Sequence, residues 1–334
     1  IRDSSTSRGL GDVYKRQTFT SFNINHTFHK SQMKPLFKPD LLSWLCLITL
    51  AIIWGVNFIF IKISVEDVGA TNNVFFRLLL AALVLLTYLR STGKKLPLSK
   101  YNVLFYLILG FLGLALPFFL ISSAEIYIDS GLAGLLMSPM PLITLSLSAL
   151  ILKDEVINRT KILAFVIAFL GLIVLFGPKN LLALGGSNKI EFISQILVLI
   201  AAFCYGTNAV LSKLAPKIDA SAMATGVSIG SLFFITPFAF FYEPFYLVNF
   251  TNEAILAIII QGVFGTAIAS ILFFKIIELK GPVFLSLINF MIPPVAFFAG
   301  VLFLNEQIKI NALLALLMIL GALYINYRSS DNID

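Results

Sequence analysis

Apolar runs of about 20 residues, each long enough to cross the hydrocarbon core of a bilayer as a helix, recur ten times along the 334-residue chain. They fall at roughly 41–63, 72–90, 101–121, 130–152, 161–178, 192–213, 222–242, 254–275, 281–304 and 308–327. None alternates with the period of two that a barrel strand shows, and a backbone in lipid must bond to itself, so each run predicts a transmembrane helix. The pattern predicts an all-α integral membrane protein of ten transmembrane helices. Residues 1–35 do not share it: they lack an apolar core of signal-peptide length and hold both histidines, His26 and His29. They are read as a disordered or non-native leader.

The runs are organised around a repeated stretch. WGVNFIFIK, Trp54 to Lys62, returns as YGTNAVLSK, Tyr205 to Lys213, with Trp54 and Tyr205, Gly55 and Gly206, Asn57 and Asn208, and Lys62 and Lys213 each 151 residues apart. Gly110, Gly113 and Ala115 return 152 residues on as Gly262, Gly265 and Ala267, and Glu155 returns as Glu306. Three echoes in one register predict two copies of one unit, over 36–180 and 181–328, with a short tail at 329–334. Each copy holds five spans, an odd number, so the second must enter the membrane in the opposite sense. Inverted repeats place a solute near the midplane between two halves that exchange conformations.

Composition agrees with a bilayer. At 58% hydrophobic and 12% charged, the chain has too few charges to cover a soluble surface. The two cysteines, Cys46 and Cys204, lie inside apolar runs and offer neither a disulfide framework nor a metal site. With a cytoplasmic N-terminus, fifteen loop cations fall on the inner side against Lys179, Lys189 and Lys309 on the outer side, which sets both termini inside. The excess of basic residues therefore reads as membrane orientation and not as a nucleic-acid surface.

These residues carry a family resemblance. The WG-x-N-x4-K of the first span, Phe76-Arg77 with Ala81 in the second, the proline-then-LKDE end of the fourth and Gly171 in the fifth resemble one half of an EamA-type transporter of the drug/metabolite transporter superfamily. Tyr205-Gly206, Pro293 to Glu306 and Gly321 resemble the other half. The resemblance implies a ten-helix carrier of small metabolites, often an exporter, in a bacterial inner membrane or a related organelle membrane. One departure is visible: Arg77 plus 151 falls on Ser228, so the two halves are chemically unequal.

Candidate substrate-binding residues follow from depth and polarity. Trp54 and Asn57, with Tyr205 and Asn208, offer an aromatic face and an amide a helical turn away; plain packing and interhelical bonding fit the same residues. Arg77 lies about five residues inside its span, where a cation costs about 2.5 to 3.5 kcal/mol on insertion scales. It is read either as a carboxylate- or phosphate-binding fork or as the partner of Glu66, Asp67 or Glu125. Ser138 and Asn289, beside prolines in the fourth and ninth spans, are the polar groups expected where helices bend. Lys62, near a span end, is read as snorkelling.

No span has an acidic residue near its centre, and Glu125, Asp129, Glu155, Glu278 and Glu306 read as helix-end residues. The expectation is a carrier running down its solute gradient or coupled through a peripheral carboxylate. The partners expected are a small-molecule substrate such as an amino acid and the lipid bilayer, with no nucleic acid, no metal and no cofactor, in a monomer or homodimer. A carrier of phosphorylated or nucleotide-linked sugars would want more deep cations. An integral membrane enzyme on lipid-linked substrates would need grouped catalytic residues, which are not seen.

Overall fold

The computed structural model describes residues 39–128, 139–152, 159–182, 189–248 and 250–292, with single positions within 133–137, 294–295 and 314–325. Among the described residues the structure is helical, with no strand: α1 (Pro39–Ser91), α2 (Lys100–Gly110), α3 (Leu116–Glu125), α4 (Met140–Ile151), α5 (Arg159–Leu182), α6 (Lys189–Leu214), α7 (Ala220–Phe241), α8 (Asn252–Gly262) and α9 (Ala269–Ser286). Five described segments are long and apolar enough to cross a membrane: Leu41–Ser91, Lys100–Glu125, Lys189–Leu214, Ala220–Phe241 and Asn252–Ser286. Large apolar side chains such as Leu83, Phe233 and Phe241 stand on their outside, as a protein solvated by lipid requires.

Two of these segments are each broken by one glycine. α1 turns back on itself at Gly69 (φ 76°, ψ 169°), so it is two helices joined without a loop. The left-handed φ favours glycine, and space enforces it: a Cβ there would stand 1.6 Å from Oε1 of Glu243. The same carboxylate accepts from the backbone N–H of Thr71 at 2.9 Å, capping the second arm with negative charge where a helix N-terminus favours it. The apolar pattern ends the first span at 63 and starts the next at 72. The helices instead run right up to the turn, because the polar residues between are satisfied locally: Ser64 Oγ donates to Phe60 O (2.8 Å) and Asn72 Nδ2 to Val68 O (3.1 Å). α9 breaks likewise at Gly281 (φ 82°, ψ 176°), with Pro282 at the following position.

Two segments, Lys100–Glu125 and the already broken Asn252–Ser286, carry a widened turn. Phe111–Ala115 and Val263–Ile268 are π-helical, inserted between α2 and α3 and between α8 and α9. Single π turns inside helices shift the phase of everything beyond them and collect at functional sites. α1 packs against α7, α8 and α9, α2 against α7, and α3 against α6, so the front half of the sequence packs largely on the back half. At the end away from Gly69, Lys94 Nζ meets Asp219 Oδ2 at 2.8 Å. Asp219 also caps α7 through the backbone N–H of Ser221 at 2.9 Å. Partial burial works to raise the Asp219 carboxyl, but the hydrogen bonds from Lys94 and Ser221 outweigh it and hold it down to about 2.

Candidate functional site

Between these helices lies a cavity of about 70 Å³ whose walls include Trp54, Asn57, Phe58, Arg77, Phe118, Met140, Tyr205, Phe273 and Asn289. Trp54, Asn57, Arg77, Tyr205 and Asn289 are five of the seven residues singled out in the sequence. Asn208 lines a smaller adjoining cavity of about 30 Å³, which shares Trp54, Phe118, Tyr205 and Phe273 with the first. Ser138 lies outside the described residues. Met137, Met140 and Ile292, which also line the main cavity, carry no polar signal that sequence reasoning could use.

Glycines set where the amides sit. Asn57 packs over the π-helical turn at Gly265, where a Cβ would stand 2.3 Å from its Oδ1. Asn208 packs over the other π-helical turn at Gly113, where a Cβ would stand 2.6 Å from its Nδ2. Both asparagines are buried, and neither Oδ1 takes a hydrogen bond among the described residues. The same exchange recurs at the glycines before them: Gly55 abuts Val295, and Gly206 abuts Ile143 and Thr144. Thr144 and Val295 are 151 residues apart, the register of the sequence repeat.

The aromatic residues follow suit. The Trp54 ring lies 6.4 Å from Phe273 and its indole N–H donates to Gly265 O at 3.2 Å, while Tyr205 lies 6.5 Å from Phe118. Asn289 is committed in part, its amide nitrogen donating to Ser286 O and contacting Met140 Sδ, both at 3.1 Å.

Arg77 is 2% exposed. Its Nε donates to Thr266 Oγ1 at 2.6 Å and its Nη2 to Gly265 O at 3.2 Å, and its Cζ stands 3.7 Å from the centroid of the Phe118 ring. Among the described residues no carboxylate lies within salt-bridge distance, so the expected alternative of an ion pair with Glu66, Asp67 or Glu125 is not what the structure has. Lys62 bonds to Glu66 Oε1 at 3.4 Å, and Asp67 accepts from Thr251 Oγ1. The partners of Arg77 are neutral: a hydroxyl, a carbonyl and a ring face.

Beyond the cavity, toward Gly69, the wall is closed by polar side chains. Gln261 Nε2 lies within hydrogen-bond distance of Ser64 Oγ (2.9 Å), Phe60 O (3.0 Å) and Asn73 Oδ1 (3.2 Å); Ser64 Oγ stands 2.8 Å from Asn73 Oδ1, and Asn73 Nδ2 donates to Ser122 Oγ (3.4 Å). The repeat registers of 151 and 152 carry Ser64, Asn73, Gln261 and Ser122 onto Ala215, Ala224, Leu109 and Phe274. The polar network thus has apolar residues at all four repeat-related positions. Against the polar closure lies Glu125, completely buried, with neither carboxyl oxygen hydrogen-bonded among the described residues. Its position at the end of α3 agrees with the sequence, but its burial does not: its main-chain carbonyl accepts from Lys62 Nζ at 2.8 Å, so Lys62 is turned toward it.

Apolar helices sheathed in apolar side chains, packed around a cavity that Arg77 lines, define a multi-pass membrane protein. The chain belongs to the EamA-like transporter family, which it matches twice, over 41–177 and 192–328. It is 28% identical over 283 residues to the uncharacterized transporter YoaV of Bacillus subtilis, covering 84% of this chain and 94% of that one. It is 26% identical to an uncharacterized transporter of Archaeoglobus fulgidus, over 86% and 99% of the two chains. A chloroplastic WAT1-related protein of Arabidopsis thaliana is 25% identical over 85% of this chain and 69% of its own. A solved crystal structure shares the fold with a TM-score of 0.70 at 17% identity, over 87% of this chain and 98% of that one.

Proposed function

We propose that the protein is a secondary transporter of amino acids or related small amphipathic solutes, working as an exporter in a bacterial inner membrane. In this reading ten helices form two inverted five-helix repeats, 36–180 and 181–328, both termini are cytoplasmic, and the Gly69 turn faces outward. The observation that carries it is Arg77: a buried guanidinium in a cavity wall with no carboxylate partner among the described residues. Of its five N–H donors, one from Nε and one from Nη2 are used. The free edge of the fork suits a carboxylate, the rings of Trp54, Tyr205 and Phe273 suit an apolar side chain, and Asn57 supplies an acceptor.

At about 70 Å³ the cavity is less than half of the roughly 150 Å³ that accommodates benzene in an engineered protein. A solute of amino-acid size therefore needs the helices to part, and alternating access supplies that motion. A carrier of phosphorylated or nucleotide-linked sugars is the second reading, since guanidinium also binds phosphate. Arg77 is the one cation among the described residues lining the cavity, which favours a singly charged solute. The test is uptake into liposomes holding the purified protein, with L-phenylalanine and a hexose phosphate as probes. Saturable phenylalanine flux that Arg77→Ala abolishes supports the reading. Turnover of a lipid-linked substrate without transmembrane flux would overturn it.

A further inference from the structure

Resting on that transport reading, we propose that Glu125 is the proton site of this carrier: it takes a proton as the polar closure shuts around it, releases that proton to the inside, and is ionised while the closure is open. Phe118, Ile121, Ser122 and Glu125 share one face of α3 by helical spacing. Phe118 and Ile121 line the cavity, Ser122 belongs to the closure, and Glu125 stands one turn further on. It is thus placed between the solute and the outer water.

Its surroundings favour the neutral acid in the closed state. The side chain is completely buried and neither oxygen is hydrogen-bonded among the described residues. An ionised carboxylate so placed is strongly disfavoured without a paired charge. The charged and titratable groups facing it come from α1 and α6. From α1, Lys62 spends its donors on the main-chain carbonyl of Glu125 at 2.8 Å and on Glu66 at 3.4 Å. Arg77, also on α1, makes no bond to it, its Nε and Nη2 donating to Thr266 and Gly265 instead. From α6, Tyr205 packs on Phe118. Opening the closure admits water and frees Lys62 to pair with the carboxylate, so the open state holds Glu125 ionised.

The order of events follows. With the inner side open, water entering the cavity hydrates the carboxyl, and the Glu125 proton leaves through the cavity to the inside. A solute carboxylate then takes Arg77, and the ionised Glu125 favours opening outward. After the solute leaves, a proton from the outside neutralises Glu125 and the closure re-forms. One proton enters for each solute that leaves.

The experiment uses proteoliposomes of wild type, Glu125→Gln and Glu125→Asp, the membrane potential clamped at zero and L-phenylalanine as probe. With the lumen one pH unit more acid than the bath, one-to-one exchange in the wild type accumulates the probe about tenfold. Glu125→Gln is expected to lose that accumulation while keeping exchange of internal for external probe, and Glu125→Asp to keep part of it. Gradient-driven accumulation in Glu125→Gln equal to the wild type overturns the proposal. An infrared difference spectrum reads the same site without any solute. The C=O stretching band of a protonated acid, present in the wild type at neutral pH and absent in Glu125→Gln, supports it, and a wild type without that band overturns it. If no variant moves the probe while the band is present, the transport reading falls and the protonated site stands.

Discussion

The side-chain amide of Asn57 rests on Gly265 with no room for a single added carbon, its Oδ1 standing 2.3 Å from where a Cβ would be. This contact joins the first repeat's first helix to a π-helical turn of the second repeat, and Asn208 on Gly113 is its counterpart. Gly265→Ala should therefore displace an amide of the site without parting two helices. Flux is expected to fall about 10- to 100-fold, the cost of misplacing a positioning group, with thermal stability nearly unchanged. Gly110→Ala is the control for the opposite outcome, because its Cβ would meet backbone, Ser231 N at 2.6 Å and Val227 O at 2.7 Å. That overpacking should cost about 1–3 kcal/mol, read as a lower melting temperature in detergent. Equal stability of the two variants would refute the distinction.

Arg77→Lys preserves the charge and removes the fork. Lysine has one ammonium where arginine bonds Thr266 Oγ1 through Nε and Gly265 O through Nη2. Each lost charge-assisted bond is worth about 1.5–3 kcal/mol, so the apparent affinity for a carboxylate solute should weaken by at least about tenfold. Concentration dependence of uptake measures it, and an unchanged affinity would remove Arg77 from the site.

Gln261→Leu takes the centre out of the polar closure. Its amide nitrogen bonds Phe60 O, Ser64 Oγ and Asn73 Oδ1, and losing buried partners costs the closed state about 1–3 kcal/mol. The variant should populate the conformation open at that end. Amide hydrogen exchange in the turn holding Ser122 and Glu125 is the readout, and protection equal to the wild type would mean that the network does not hold the closure.

Asp219→Asn keeps a capping oxygen on α7 and removes the charge opposite Lys94. Because the folded carboxyl is held down to about 2, below its usual value of 3.8, the pair stabilises the protein above the unfolded value, and that contribution is lost as pH falls through about 2. With both side chains more than a third exposed, its worth is at most about 1 kcal/mol. The melting-temperature gap between wild type and variant should be constant above about pH 5 and narrow below it. A gap that widens in acid would contradict the pairing.

Much of this was legible in the chain. The doubled W/Y-G-x-N pattern marks Trp54, Asn57 and Tyr205, and depth marks Arg77, because a polar group in an apolar run is costly wherever the helix turns it. What stayed hidden depends on neighbours that no local pattern names. Glu125 stands four residues beyond the apolar run ending at 121 and so reads as interfacial; its burial follows from the close packing of α1 and α6 around it. Ser64 falls just past the first apolar run, Asn73 at the start of the second and Gln261 inside the run 254–275, and their meeting needs the Gly69 turn to bring both arms of α1 beside α8. The partners of Arg77 were equally out of reach, since Thr266 and Gly265 O belong to the opposite repeat.

If the proposed alternation is right and Leu109, Ala215, Ala224 and Phe274 shut the second mouth, temperature has a say in which mouth opens. Exclusion of water by such apolar residues is entropic near room temperature and weakens on cooling, whereas the hydrogen bonds about Gln261 draw on enthalpy. Chilled membranes should hold more of the population with the apolar mouth ajar, and warming should even the two sides.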